Sequence, residues 1–185
     1  MPPDYTEDQD RYDIVIYGGP SSGIAAAIEA SRLGKSVVLI EPTLRIGGLT
    51  TGGLGETDIG KKNSIGGISR EFYQRVKAYY ARPENWKWQD PADYKDEGQA
   101  RTESGEDTMW TFEPSAALKI FQSMLAEEPV DLVLEERLNR EAGVTFKGCR
   151  IDALEMESGR VFRGQVFIDA TYEGDLMAAS NVSYT

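Results

Sequence analysis

The stretch "IVIYGGPSSGIAAAIEASRLGKSVVLIE", residues 14–41, decides the fold class. Its first four residues form an apolar, β-branched run typical of a strand that is buried on both faces. A glycine pair ends that run, small and apolar residues then recur at helical spacing, and Gly34 lies where a helix C′ glycine is expected. Residues 36–40 repeat the buried-strand pattern. The order of strand, glycine turn, helix and strand predicts a βαβ unit.

The glycines of this unit have the spacing of a nucleotide-binding turn. Gly18 and Gly23 match the first and third glycines of G-x-G-x-x-G, and Glu41 ends the second strand, where an acidic side chain can bind an adenosine ribose. Pro20 occupies the middle-glycine position and supplies no N–H group. The first amides of the helix can still hold a pyrophosphate. An apolar α/β core without a ligand is the alternative interpretation of this stretch.

Length, composition and charge exclude several classes of protein. The 185 residues are 40% apolar, which predicts one well-filled domain over residues 11–185 after a disordered lead-in over residues 1–10. The formal net charge of −11 argues against nucleic acid as a partner. The sequence contains no apolar run long enough to predict a membrane span, and the acidic start predicts no secretory leader. We therefore expect a cytoplasmic protein, with export of a longer parent protein as the alternative.

The cysteine and histidine content limits the chemistry of the chain. The single cysteine, Cys149, excludes an internal disulfide and is predicted to be a core thiol. The chain has no histidine, which removes the commonest general base and metal ligand. The sequence predicts no metal site.

A second glycine-rich segment follows Glu41. Six glycines lie between residues 47 and 60, a density that is expected where the backbone passes close to a flat or charged ligand. Arg45 is available to an anion, and Thr50 and Thr51 offer hydroxyl groups. A flexible surface loop is the alternative interpretation.

The middle of the chain combines a helix with a polar insertion. Residues 68–80 place apolar side chains on one helical face, whereas residues 81–108 are polar and lack periodicity, which predicts a long loop or small insertion. Trp86 and Trp88 in this insertion either line a substrate entrance or anchor an irregular loop.

The last third of the chain predicts the remainder of a sheet. A helix that begins near Pro114 precedes the apolar run "VDLVL", which is expected to be a third parallel strand. Short alternating runs over about residues 138–165 predict an antiparallel β-meander. Residues 165–171, "QVFIDAT", then return to the buried-strand pattern before a final helix begins.

Taken together, five motifs in this order resemble a known family. They are the glycine turn with Glu41, "RIGG", the glycine pair at 52 and 53, "FEP", and the terminal "VFIDATYEGDLMAA". The chain resembles the N-terminal, FAD-binding portion of the FAD-dependent oxidoreductase family, within the glutathione-reductase-like flavoprotein superfamily. The resemblance implies an α/β fold: a Rossmann-type FAD/NAD(P)-binding domain whose parallel sheet carries helices and an antiparallel β-meander crossover.

The resemblance also implies roles for matching residues. The glycine turn would cradle the FAD pyrophosphate, Glu41 would bind the ribose, and the segment from Arg45 onward would close over the diphosphate and run toward the flavin ring. The backbone of Leu138 matches a position that meets adenine, and Ala170 with Thr171 matches a signature beside the dinucleotide. The predicted cofactor-binding residues are Gly18, Gly19, Pro20, Ser21, Ser22, Gly23, Glu41, Pro42, Arg45, Gly47, Gly48, Leu49, Thr50, Thr51, Gly52, Gly53, Leu138, Ala170 and Thr171.

Three departures from the family pattern accompany the resemblance, and one of them is Ser115, which follows "FEP" where histidine is expected in relatives. Many relatives carry threonine at the position of Pro20, so one contact of the site is altered here. Family chains are usually far longer, and we expect this chain to be truncated relative to them, with the remainder of the parent flavoprotein or a homo-oligomer as partner.

The function implied is FAD-dependent hydride transfer between a small organic substrate and the flavin. No catalytic residue is assigned, although Tyr172, Glu173 and Asp175 lie where ligands gather in open α/β sheets. A non-catalytic dinucleotide-binding module that needs a further segment or partner is the first alternative. An enzyme that binds only NAD is the second.

Overall fold

The computed structural model describes residues 11–183, which fall into two compact units. Within the described residues, one unit comprises residues 11–46 together with residues 125–183, and the other comprises Gly47–Met124. The disordered lead-in predicted for residues 1–10 lies outside the described residues. Along the chain, the second unit lies between the two parts of the first and contains the predicted polar insertion. The bounds predicted for the domain, residues 11–185, stay a prediction.

The first unit is built on a six-stranded sheet with the strand order β3-β2-β1-β6-β5-β4. The four strands β3, β2, β1 and β6 pair in parallel, and β6, β5 and β4 pair antiparallel. The strands are β1 Arg11–Tyr17, β2 Val37–Glu41, β3 Val130–Leu134, β4 Val144–Lys147, β5 Arg150–Glu155 and β6 Val161–Asp169.

The apolar runs of the opening stretch lie at the centre of this sheet. Val15 pairs with Val38 on one side and with Phe167 on the other, and every residue of β2 is buried. The helix α1, Ser21–Arg32, connects β1 to β2 and buries Ile24 and Ile28. A short helix after β6, Asp175–Ala179, ends the described part of this unit. The predicted α/β fold with a parallel sheet and an antiparallel meander is confirmed.

The meander differs from its prediction in one respect. We expected the last parallel strand to be separate from the meander, but β6 is one continuous strand of nine residues. Its first residues, from Val161 to Arg163, pair antiparallel with β5, and the part from Arg163 to Asp169 pairs parallel with β1. One strand serves both partners because a strand has two hydrogen-bonding edges.

The second unit is mainly helical. Its helices are α2 Gly48–Gly52, α3 Gly67–Tyr80 and most of α4 Pro114–Ala126, with single 3₁₀ turns at Lys62–Ser64, Pro83–Asn85 and Pro91–Asp93. The helix predicted for residues 68–80 is confirmed, with Phe72 and Val76 buried. The ring of Phe72 stacks on Phe121 at a centroid distance of 4.5 Å, and Trp110 is fully buried with Ile59 and Ala100.

One local prediction is wrong, and one short helix was not anticipated. Cys149 is exposed instead of being a core thiol, because it lies in the tight turn between β4 and β5, where the sheet offers no interior. The helix α2 occupies part of the glycine-rich segment, for which helical spacing gives no sequence signal.

Candidate cofactor-binding site

The turn between β1 and α1 requires glycine at two positions. Gly18 has a φ of 100°, and a Cβ atom placed on it would lie 2.8 Å from the backbone nitrogen of Thr171. A Cβ atom on Gly23 would lie only 2.1 Å from the carbonyl oxygen of Gly18. The backbone after β1 therefore packs directly against the first turn of α1 and against the chain after β6.

The N-terminus of α1 presents three backbone amides that no group of the helix accepts from. Pro20 is the N-cap residue, and its carbonyl oxygen accepts the first helical hydrogen bond from the amide of Ile24 at 3.0 Å. The N–H groups of Ser21, Ser22 and Gly23 have no acceptor within the helix, and no side chain caps this end. Because proline lacks an N–H group, Pro20 adds no fourth donor. The helix dipole adds partial positive charge at the same place.

The Glu41 carboxylate is buried and ordered by its own neighbours. Its Oε2 atom accepts a hydrogen bond from the amide of Gly19 at 2.8 Å. Its Oε1 atom accepts from the amide of Thr43 at 2.9 Å and from the Thr43 hydroxyl at 2.7 Å. Glu41 is only 7% exposed. The acid at the end of β2 is thus fixed against the glycine turn.

Leu138 is fixed to the end of β1 by a tyrosine. Its amide donates a hydrogen bond to the Tyr17 hydroxyl at 2.9 Å, and its side chain is buried in the core of the unit. Burial raises the pKa of Tyr17, so this hydroxyl stays protonated at neutral pH. The amide of Leu138 is therefore engaged within the protein.

Asp169 orders the segment after β6. Its Oδ1 atom accepts from the amide and from the hydroxyl of Thr171, at 2.9 and 2.7 Å, and its Oδ2 atom accepts from the amide of Met177 at 2.8 Å. The amide of Ala170 donates to the carbonyl oxygen of Tyr17 at 2.8 Å. The signature Ala170-Thr171 is thereby fixed beside the glycine turn.

The other predicted residues follow β2 or lie in and around α2. Pro42 is half-buried and Arg45 is exposed, both in the chain after β2. Gly47 is the N-cap residue of α2 and Gly53 its C-cap residue, and within the helix Thr51 is buried and Leu49 is exposed. The helix contains the predicted residues Gly48, Leu49, Thr50, Thr51 and Gly52.

The structure thus gathers one group of predicted residues and adds three that the sequence analysis missed. Gly18 lies against Ala170 and Thr171, Gly23 lies against Gly18 and Ala170, and Gly19 lies against Glu41. Tyr17, Thr43 and Asp169 hold this group in place. Thr43 lies two residues after Glu41, and this short spacing is the one signal that the sequence offered for it. Tyr17 was hidden in an apolar run.

The three polar residues considered for catalysis do not share a common contact. Tyr172 and Glu173 are exposed, and the Asp175 carboxylate pairs with the Arg140 guanidinium at 3.2 Å. Over residues 11–183, no group of three or more acidic, cysteine or histidine side chains could hold a metal ion. Over the same residues, no helix is long and apolar enough to cross a membrane.

A parallel sheet with a glycine turn at the first βα junction and an acid at the end of the second strand defines a Rossmann-type dinucleotide-binding protein. The family model described as FAD dependent oxidoreductase matches residues 13–185. The chain belongs to the FAD-dependent oxidoreductase family.

Solved flavoenzymes share this fold at low sequence identity. The chain is similar to the flavin-dependent brominase Bmp2, with 19% identity and a TM-score of 0.61 over 93% of this chain and 41% of that structure. It is similar to L-proline dehydrogenase from P. horikoshii, with 15% identity and a TM-score of 0.59 over 95% of this chain and 57% of that structure. L-amino acid deaminase from Proteus vulgaris gives 16% identity and a TM-score of 0.57 over 90% of this chain and 48% of that structure.

The family match confirms the predicted family and the FAD cofactor for which that family is named. The chain spans between 41% and 57% of the length of the three structures. The comparison with curated proteins finds no matching sequence.

Proposed function

We propose that this chain binds the adenosine diphosphate half of FAD at the β1–α1 turn, as part of an oxidoreductase that transfers a hydride between a small organic substrate and the flavin. The observation that carries the proposal is the close packing at Gly18 and Gly23, where any side chain would collide with backbone. This packing leaves a helix N-terminus open to a pyrophosphate, and the amides of Ser21, Ser22 and Gly23 would hold it.

Glu41 has one acceptor position left for a ribose. A carboxylate offers about four lone-pair positions. Oε1 already accepts two hydrogen bonds, whereas Oε2 accepts only the one from Gly19. A ribose hydroxyl would donate to the remaining position on Oε2. Thr43 and Gly19 keep the carboxylate oriented for it.

The other predicted contacts extend the same site. In the proposal, Arg45 contacts the diphosphate, and Ala170 with Thr171 lines the dinucleotide. Since the amide of Leu138 is engaged by Tyr17, any contact of Leu138 with adenine would use its other backbone atoms. Bound FAD supplies the redox chemistry, and the protein groups bind and orient it.

A non-catalytic cofactor-binding module is the second candidate function. It is favoured by the fact that the chain spans no more than 57% of the three flavoenzyme structures. Both candidates require FAD binding, but only an enzyme would show substrate-dependent bleaching of the flavin. A partner chain, a homo-oligomer and a cytoplasmic location stay predictions.

Thermal unfolding with FAD and with NAD tests the cofactor preference. A ligand at 100 times its Kd adds about 2.7 kcal/mol to the free energy of unfolding, which for a chain of this size raises Tm by about 5 °C or more. We expect that rise with FAD and a rise of less than about 2 °C with NAD at the same concentration. A Tm rise with NAD that equals or exceeds the rise with FAD would contradict the proposal.

A further inference from the structure

The second unit contains an aromatic cavity that the cofactor site does not use. It has a volume of about 160 Å³ and lies within Gly47–Met124. Its lining includes five aromatic side chains and one carboxylate, those of Tyr80, Trp86, Trp88, Tyr94, Phe112 and Glu113. The tryptophans are those of the polar insertion, for which the sequence left two roles open. The volume suits a small organic molecule of several heavy atoms.

Three of these rings form an ordered wall. The ring centroids of Tyr80 and Trp86 are 5.0 Å apart, and those of Trp86 and Tyr94 are 5.3 Å apart, with tilts near 60° in both pairs. The indole N–H of Trp86 donates to the carbonyl oxygen of Tyr80 at 2.7 Å, which fixes the middle ring. An ordered wall binds a ligand with little loss of side-chain freedom. Trp88, in contrast, is 84% exposed at the same cavity.

The electrostatics of the cavity favour a positive ligand. The Tyr80 hydroxyl donates to Oε2 of Glu113 at 3.1 Å and accepts from the Glu113 amide at 2.9 Å. Over residues 11–183, the structure gives Oε1 of Glu113 no hydrogen-bond donor. The helix α3 ends at Tyr80, so its negative dipole end lies at the same wall. Lys87 is the one lining residue of positive charge and is exposed.

We infer that this cavity binds a small organic cation of the alkylammonium class, held by the faces of the aromatic wall and by the Glu113 carboxylate. Aromatic faces attract cations through their quadrupole, and quaternary ammonium groups are recognised in this way. The carboxylate adds a direct charge interaction that a neutral ligand of the same shape lacks. This inference does not depend on FAD binding.

Three isosteric probes test the inference by titration calorimetry. They are choline, 3,3-dimethylbutan-1-ol and 3,3-dimethylbutanoate, which share one bulky head shape and carry a positive, a zero and a negative charge. We expect choline to bind at least about tenfold more tightly than the neutral alcohol, and the carboxylate not to bind. Equal binding of choline and the alcohol, tighter binding of the carboxylate, or no binding of choline to the folded chain would each overturn the inference.

Three substitutions test whether choline binds in the cavity. Glu113→Gln keeps the shape and an acceptor for Tyr80, and we expect it to weaken choline binding about tenfold. Glu84→Gln, which neutralises an exposed carboxylate outside the cavity, is the matched control and should leave binding unchanged. Trp88→Leu changes an exposed lining side chain and is expected to fold normally and to weaken choline binding, so it tests the cavity even if the first variant is unstable. Full choline affinity in Trp88→Leu and Glu113→Gln together would overturn the inference.

Discussion

Replacing Gly23 with alanine is expected to lower the free energy of unfolding by about 3 kcal/mol and to abolish FAD binding. The new Cβ atom would lie 2.1 Å from the Gly18 carbonyl oxygen and 3.2 Å from the Ala170 Cβ atom. The nearest of these atoms is backbone, which cannot move aside as the end of a flexible side chain can. The first turn of α1 would have to separate from β1, which removes the geometry of the phosphate site.

Urea unfolding of the unmodified chain and of the Gly23→Ala variant measures this loss. The difference between their midpoint urea concentrations, multiplied by a common m value, gives the difference in the free energy of unfolding. Gly60→Ala is the matched control, because a Cβ atom on Gly60 has no neighbour within 4 Å and Gly60 has no positive φ. We expect the control to change the free energy of unfolding by less than about 0.5 kcal/mol. A Gly23→Ala protein that unfolds within 1 kcal/mol of the unmodified chain would contradict the described packing.

Replacing Glu41 with glutamine is the second change with a large expected effect. Each carboxylate oxygen now accepts at least one N–H hydrogen bond, from Gly19 on one side and from Thr43 on the other. A glutamine amide has only one oxygen, so in either orientation its NH₂ group faces an N–H donor. One buried amide then loses its acceptor, at a cost of about 1–3 kcal/mol in the free energy of unfolding.

The same change removes the charged acceptor offered to the ribose. Hydrogen bonds to charged groups contribute about 1.5–3 kcal/mol, so FAD affinity should fall about tenfold to a hundredfold. Glu29→Gln, which neutralises an exposed carboxylate on α1, is the control for net charge. It should change neither the free energy of unfolding nor the affinity for FAD. Unchanged stability and unchanged FAD affinity in Glu41→Gln would show that this carboxylate has no part in the site.

The sequence predicted those parts of the fold that rest on strong local patterns. Ile14–Tyr17 and Val37–Ile40 are apolar on both faces because they are the central strands of the sheet, and Gly34 ends α1 with a φ of 75°. The glycine turn was predictable for the same reason, since residues 18 and 23 admit no side chain. The patterns that reveal these features lie within about thirty residues of chain, although Gly18 is also crowded by the distant backbone of Ala170 and Thr171.

The features that the sequence did not reveal depend on distant contacts or on weak local signals. The bond between Tyr17 and Leu138 joins residues 121 positions apart, and a tyrosine in an apolar run gives no sign that its hydroxyl has a partner. The exposure of Cys149 follows from the tight β4–β5 turn, whose bounds the alternating pattern did not fix. The single long strand β6 could not be anticipated, because a sequence pattern does not show which edge of a strand is paired.

Equilibrium dialysis of the purified, folded chain against FAD tests the central claim most directly, because it detects weak as well as tight binding. The flavin absorbance on the two sides of the membrane gives the bound fraction, and ADP serves as competitor for the proposed β1–α1 site. The account predicts an excess of flavin on the protein side that approaches one per chain and is reduced by ADP. Equal flavin concentrations on both sides, with a chain shown to be folded, would contradict it.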